Sequence, residues 1–146
     1  MQTVLKSLKL LTWAIAPILL LISPPAIAQS TIETATETGR SFSWTVVPDA
    51  MGYTQLGNPH SPMEPWYVNT DPIIRRGDLV TFEAASPTAE YVQFFGNCQT
   101  WQITPQYIGE FLNNNSIHYQ FAQLDWQYAT GWRSALLDAA CNPHYL

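Results

Sequence analysis

The chain has 146 residues, of which 47% are hydrophobic, and a formal net charge of −5. Its eleven Asp and Glu outnumber its six Lys and Arg, a balance that repels phosphate backbones and anionic lipid surfaces. Composition therefore argues against nucleic acid and membrane surfaces as partners, and the length suits a single domain.

The N-terminal segment, residues 1–28, has the layout of a secretory signal peptide. Two lysines precede an apolar run over residues 10–22, and the tripeptide Ala-Ile-Ala ends at Ala28. We therefore expect cleavage between Ala28 and Gln29, and a periplasmic or secreted chain with no membrane span after cleavage. An uncleaved membrane anchor is the alternative, but the run is shorter than the ~20 residues that cross a bilayer.

Residues 29–40 are rich in Thr and Glu, which predicts a disordered leader. Residues 41–146 are predicted to form a single globular domain. Runs of alternating apolar and polar residues predict strands, while the Pro-containing stretches 48–65 and 105–116 predict loops. Together these patterns predict an α+β fold, with an antiparallel β-sheet of about five to six strands and a C-terminal α-helix.

A hairpin turn is predicted at Arg76, Gly77 and Asp78. Gly77 supplies the positive φ that short hairpin loops need, and Asp is a common turn residue. A two-residue loop at Gly77-Asp78 and a three-residue loop with a Gly bulge both fit. The same tripeptide is an integrin-recognition motif, but each residue has a local reason to be there, so we interpret it as a turn.

The longest strand candidate covers residues 89–103, with Val92 and Phe94 on one face and Tyr91 on the other. Because both faces carry aromatic side chains, we expect a central position in the sheet. Gly96 marks either a bulge or a close approach of the backbone.

Residues 132–141, WRSALLDAAC, have the apolar stripe of a helix. Cys98 and Cys141 both lie in the part expected to be exported, where the compartment permits oxidation. They have neither a C-x-x-C spacing nor an adjacent His, so we predict one structural disulfide that ties this helix to the long strand. The chain-entropy model gives such a crosslink about 4 kcal/mol.

The sequence predicts no catalytic residue, metal ligand or cofactor. The three histidines, His60, His118 and His144, lie in no recognised catalytic motif and share no ligand spacing. Carboxylate pairs such as Glu83 and Glu90 flank predicted turns, where acidic residues are common because turns are solvated.

Aromatic residues are in surplus, and several of them fall in predicted loops. Five are candidates for a binding surface that would contact a glycan or another protein: Trp66, Tyr53, Tyr107, Trp126 and Trp132. The alternative is that a small sheet protein fills its core with aromatic side chains.

The block from Trp66 to Cys98 resembles the central motif of the surface-adhesin protein E-like domain family of bacterial exported proteins. The positions that match are Trp44, Tyr67, Asp71, Ile74, Arg75, Gly77, Val80, Cys98 and Cys141. The resemblance implies an antiparallel sheet with a disulfide-tied C-terminal helix, in a non-enzymatic envelope protein. This chain lacks a lipobox cysteine, and the ligand-binding residues of the adhesin have no matching motif here.

These features favour an exported, non-enzymatic binding or structural domain. Its expected partner is a protein or glycan of the envelope or extracellular space, and its expected state is a monomer or weak homodimer. A small exported hydrolase or an enzyme inhibitor is the alternative, and a subunit of a larger envelope assembly is a third possibility.

Overall fold

The computed structural model describes residues 34–55, 58–113, 115–122, 124–142 and 144. The predicted signal peptide and its cleavage site lie outside these residues. The described part contains eight strands and one helix. In chain order they are β1 (Thr34–Thr38), β2 (Trp44–Tyr53), β3 (Met63–Arg76), β4 (Leu79–Ala85), β5 (Glu90–Asn97), β6 (Gln102–Asn113), β7 (Ser116–Phe121), β8 (Gln127–Tyr128) and α1 (Trp132–Cys141).

The strands form one sheet in the order β1-β7-β6-β5-β4-β3-β2, and β8 pairs with β6 outside this path. Every neighbouring pair is antiparallel. The predicted antiparallel sheet with a C-terminal helix is confirmed. The predicted number of strands is wrong, because the sheet has eight rather than five to six.

Pro65 and Pro105 are two of the prolines that lie in strands at places that the sequence predicted to be loops. Pro65 is part of β3 but lies beyond the end of β4, so it pairs only with Met51 of β2. Pro105 is part of β6 and lies opposite Phe94 at a register shift, where the ladder is already interrupted. Both are positions at which a strand tolerates a residue without an N–H donor.

Strand β1 corrects the prediction of disorder for residues 34–40, the described part of the predicted leader 29–40. Its register against β7 runs from Thr34 opposite Gln120 to Thr38 opposite Ser116. The segment alternates Thr with Ala and Glu, and β-branched Thr suits a strand even where few apolar side chains are buried. Its partner strand is far along the chain, so composition alone does not reveal the pairing.

One face of the sheet packs against α1 and forms the hydrophobic core. Leu136 and Leu137 of α1 are fully buried there, together with Val80 and Phe94 of the sheet. Gly96 lies at the closest contact, since a Cβ at this position would lie 2.9 Å from Val80 Cγ1 and would collide with Leu137. Of the two roles considered for Gly96, it serves the close approach.

The C-terminal end of α1 is anchored to the sheet. The predicted disulfide between Cys98 and Cys141 is present, with Cα atoms 5.8 Å apart. Arg75 of β3 also donates a hydrogen bond to the backbone carbonyl oxygen of Ala140 in the last turn of the helix. A cation at this end of a helix is favourable because the helix dipole is negative there.

The predicted hairpin turn joins β3 to β4. Arg76 pairs with Leu79 and Gly77 has φ 63°, so the connection is the two-residue loop Gly77-Asp78. The carbonyl oxygen of Asp78 accepts a hydrogen bond from the backbone N–H of Cys98, 2.8 Å away. This bond holds the turn beside the disulfide.

The face opposite α1 is curled, so that strands distant in the sheet meet across it. The ring centroids of Trp44 on β2 and Phe111 on β6 are 5.7 Å apart, although β3, β4 and β5 lie between these strands. In a flat sheet, four strand spacings would separate them by about 19 Å. Phe42, in the connection between β1 and β2, stacks on Trp44 with centroids 5.2 Å apart. We name this the curled face.

Candidate functional site

A groove lies on the α1 side of the sheet, and we name it the helix-side groove. Because α1 packs chiefly on β2, β3 and β4, much of this face over β5 and β6 stays open. The groove has a volume of about 730 Å³, which lies within the ~300–1,000 Å³ usual for ligand sites. Its walls come from the N-terminal end of α1, neighbouring ends of β2 and β3, the turn at residues 86–90, and parts of β5 and β6.

Two stacked indoles form an apolar wall of this groove. The rings of Trp66 and Trp132 lie with centroids 4.2 Å apart and planes 8° from parallel. The guanidinium of Arg133 lies 4.7 Å from the centroid of the Trp132 ring, in cation–π contact. Gly52 makes room for this stack, since a Cβ there would lie 2.6 Å from Trp66 Nε1. The wall is therefore an ordered surface with little space to collapse.

Large apolar side chains at the rim of the groove face solvent. Tyr53, Met63 and Leu124 are 45%, 48% and 54% exposed, respectively. Exposed apolar surface concentrated in one concave region is typical of a site that buries a partner, since removing apolar surface from water is favourable by about 25 cal/mol per Å². Asp49 and Glu90 also line the groove, from β2 and β5. The groove thus offers an apolar floor with a few charged groups to orient what binds there.

The structure brings three of the five predicted surface aromatics together. Tyr53, Trp66 and Trp132 all line the helix-side groove. Tyr107 lies elsewhere, packed against Tyr119 with ring centroids 5.1 Å apart. Trp126 is 45% exposed but does not line the groove. Met63 and Leu124 were not predicted as site residues. No local sequence pattern identifies them, because they come together only in the folded chain.

A second feature that the sequence did not reveal is a buried carboxylate under the curled face. Glu83 is only 4% exposed, and its two oxygens accept three side-chain hydrogen bonds. Arg40 Nη2 and the Tyr91 hydroxyl donate to Oε1 at 2.7 and 2.8 Å, and Asn69 Nδ2 donates to Oε2 at 2.9 Å. Arg40 also pairs with Glu37 at 3.0 Å. The segment before the predicted domain is therefore tied into its interior.

This cluster shifts the proton affinities of two members. Burial opposes the charge of Arg40, but the hydrogen bond and the charge of Glu83 outweigh it, so the pKa of Arg40 is raised further above its ordinary value. Burial, together with the adjacent charge of Glu83, raises the pKa of Tyr91 well above its ordinary value. At neutral pH Tyr91 is accordingly a neutral phenol and Arg40 a charged guanidinium.

The described histidines are dispersed. His118 lies opposite both Thr36 and Glu110 in the sheet, and its Nδ1 is 3.0 Å from the Thr36 hydroxyl. Within the described ranges, both ion pairs involve Arg40, and no cluster of three or more His, Cys, Asp and Glu residues is arranged to hold a metal ion.

The part of the chain that the structure describes contains no helix that is long and apolar enough to cross a membrane.

The comparisons with known proteins add no relative: no family model, curated protein or solved structure matches this chain. The resemblance to the surface-adhesin protein E-like family remains a prediction from the sequence motif.

Proposed function

We propose that this chain is an exported, non-enzymatic binding protein of a bacterial envelope, located in the periplasm or at the cell surface, and that the helix-side groove is its binding site. The observation that carries the proposal is the concave, apolar groove itself, with its stacked indole wall and exposed apolar rim. A disulfide between distant cysteines is compatible with an oxidising compartment.

The groove suits an extended or knob-like apolar segment of another envelope protein. Aromatic residues in a rigid wall supply large contact area at small entropic cost, and such residues dominate binding energy at protein interfaces. Met63 at the rim adds a flexible side chain that adapts to different partner shapes. A glycan partner would use the same aromatic wall by stacking.

The decisive experiment is a pull-down of partners from an extract of the native envelope. It compares the purified wild-type protein with a variant that carries a charge in the groove. Met63→Glu should abolish capture, because an apolar partner would have to bury the new carboxylate without compensation. Ile74→Glu is the matched control, since Ile74 has nearly the same exposure, 47% against 48%, and lies outside the groove.

Both variants should unfold at the same urea concentration as the wild type. Capture that survives Met63→Glu unchanged would refute the groove as the binding site. Equal loss in both variants would show that capture depends on surface charge in general rather than on this groove.

A further inference from the structure

The curled face holds a second cavity, which we name the curled-face pocket. It has a volume of about 780 Å³ and lies on the side of the sheet away from α1. Its aromatic walls are Phe42, Trp44, Tyr67 and Phe111. It differs chemically from the helix-side groove, because the described residues of its lining include two Asn amides and the hydroxyls of two serines and a tyrosine but no large aliphatic side chain.

The aromatic rings of the pocket hold one another in fixed orientations. The rings of Phe42 and Trp44 are 14° from parallel, and the ring of Phe111 meets both at nearly right angles, 83° and 84°. The Arg40 guanidinium lies 4.9 Å from the centroid of Phe42 on the same cluster. Rings fixed in this way provide flat apolar surface without an ordering cost when a ligand stacks on them.

The polar groups of the pocket are neutral and can both donate and accept hydrogen bonds. They are the amides of Asn113 and Asn115 and the hydroxyls of Ser41, Ser86 and Tyr67. No Asp or Glu is among the described residues that line the pocket. Asn115 is held in place by its backbone N–H, which donates to Asn113 Oδ1 at 2.9 Å.

Arg40, the one cation among the described residues that line the pocket, is already neutralised. Arg40 bonds Glu83 at 2.7 Å and Glu37 at 3.0 Å, so two carboxylates surround its charge. An anionic ligand therefore gains little from Arg40 and is repelled by the net charge of the chain, −5. A ligand for this pocket must combine flat apolar faces with many neutral hydrogen-bonding groups.

One wall residue adopts a backbone conformation that is uncommon for its type. Ala89 has φ 62° in the turn before β5, and it lines the pocket. A non-glycine residue in this region costs of order 1 kcal/mol or more, and such strain concentrates at ligand sites. The turn is stabilised by the bond from Ala89 N–H to the Ser86 carbonyl oxygen at 2.9 Å, and the small Ala side chain leaves the pocket open.

We propose that the curled-face pocket binds a neutral oligosaccharide, with a sugar ring stacked on the indole of Trp44 and hydroxyls bonded to Asn113, Asn115 and Tyr67. Pyranose rings offer axial C–H faces to aromatic rings and hydroxyls around their edges, which is the combination that the pocket accommodates. This inference is independent of the proposed function, because it concerns the opposite face of the sheet.

The test is calorimetric titration of the purified protein with chitotriose, cellotriose and maltotriose, and with adenine as a flat, neutral comparison ligand. At least one trisaccharide should bind with a dissociation constant of about 1 mM or tighter. Trp44→Ala should weaken that binding at least about tenfold, as expected for loss of an aromatic anchor. Trp44→Phe, which keeps a flat ring, should recover part of it.

Controls separate stacking from misfolding and from the helix-side groove. Trp126→Ala removes an exposed indole outside the pocket and should leave saccharide affinity unchanged, as should Met63→Glu. If Trp44→Ala fails to fold, Tyr67→Phe, which removes one hydroxyl of a part-exposed side chain, should still weaken binding severalfold. The proposal is overturned if no trisaccharide binds, if adenine alone binds, or if the folded pocket variants bind as the wild type does.

Discussion

Replacement of Arg40 by Met should destabilise the protein strongly, although Arg40 lies in the segment that the sequence predicted to be disordered. The variant leaves the carboxylate of Glu83 buried with its main cationic partner gone. Loss of one partner of a buried ion pair costs about 3–5 kcal/mol. Because the Arg40 side chain is 23% exposed and water can partly replace it, we expect the lower end of this range, about 3 kcal/mol.

Urea unfolding followed by tryptophan fluorescence measures this loss. With a slope of about 1–3 kcal/mol per M for a small domain, the midpoint should fall by about 1–3 M. Arg76→Met is the matched control, since Arg76 lies exposed at the hairpin turn, and it should change stability by less than about 0.5 kcal/mol.

A double-mutant cycle identifies the cause. Glu83→Gln removes the charge that Arg40 neutralises, so Arg40→Met should cost far less in the Glu83→Gln background, with a coupling of at least about 1 kcal/mol. If Arg40→Met leaves the midpoint within error of the wild type, the reasoning fails, and the segment before the domain contributes no buried interaction in solution.

Three further predictions follow from the packing. Burial, with the charge of Glu83, raises the pKa of Tyr91, so the folded state holds the phenol proton more tightly than the unfolded state does. The free energy of unfolding should therefore fall as pH rises above about 10, where the unfolded state loses this proton. Tyr91→Phe should flatten that fall in urea titrations at pH 8 to 11, and an equal slope in both proteins would contradict the assignment. Gly96→Ala should cost about 1–3 kcal/mol by overpacking against Leu137, seen as a lower thermal midpoint; a neutral effect would mean that α1 shifts freely. Replacement of both Cys98 and Cys141 by Ala should cost about 2–4 kcal/mol, and alkylation mass spectrometry of the unreduced wild type should find no free thiol.

Local patterns in the sequence were sufficient for the core of the fold. Alternation in β5 placed Val92 and Tyr91 on opposite faces, and this strand is indeed central in the sheet, with both side chains buried. Such predictions succeed because a strand shows in the sequence as alternating residue types, and because two cysteines allow only one intrachain pair. The two cysteines likewise identified the crosslink between the long strand and the C-terminal helix.

Non-local interactions explain what the sequence did not reveal. Arg40 and Glu83 are 43 residues apart, and Glu83 was assigned to a solvated turn because acidic residues usually occur there. Met63 and Leu124 reach one groove only because β3 and the segment after β7 meet above the same face. Each is a case in which tertiary packing overrides a local tendency, so no window of sequence contains the information.

The two ends of α1 are held by bonds of different stiffness. At Cys141 a covalent bond fixes the helix, whereas at Trp132 the contacts are a ring stack and, two residues on, a hydrogen bond from Trp101 Nε1 to Ser134 Oγ at 3.1 Å. The two ends of α1 are therefore held by chemically independent contacts. A reductant breaks the bond at Cys141 but leaves the ring stack of Trp132 and the hydrogen bond of Ser134, so the wall of the helix-side groove does not depend directly on the crosslink.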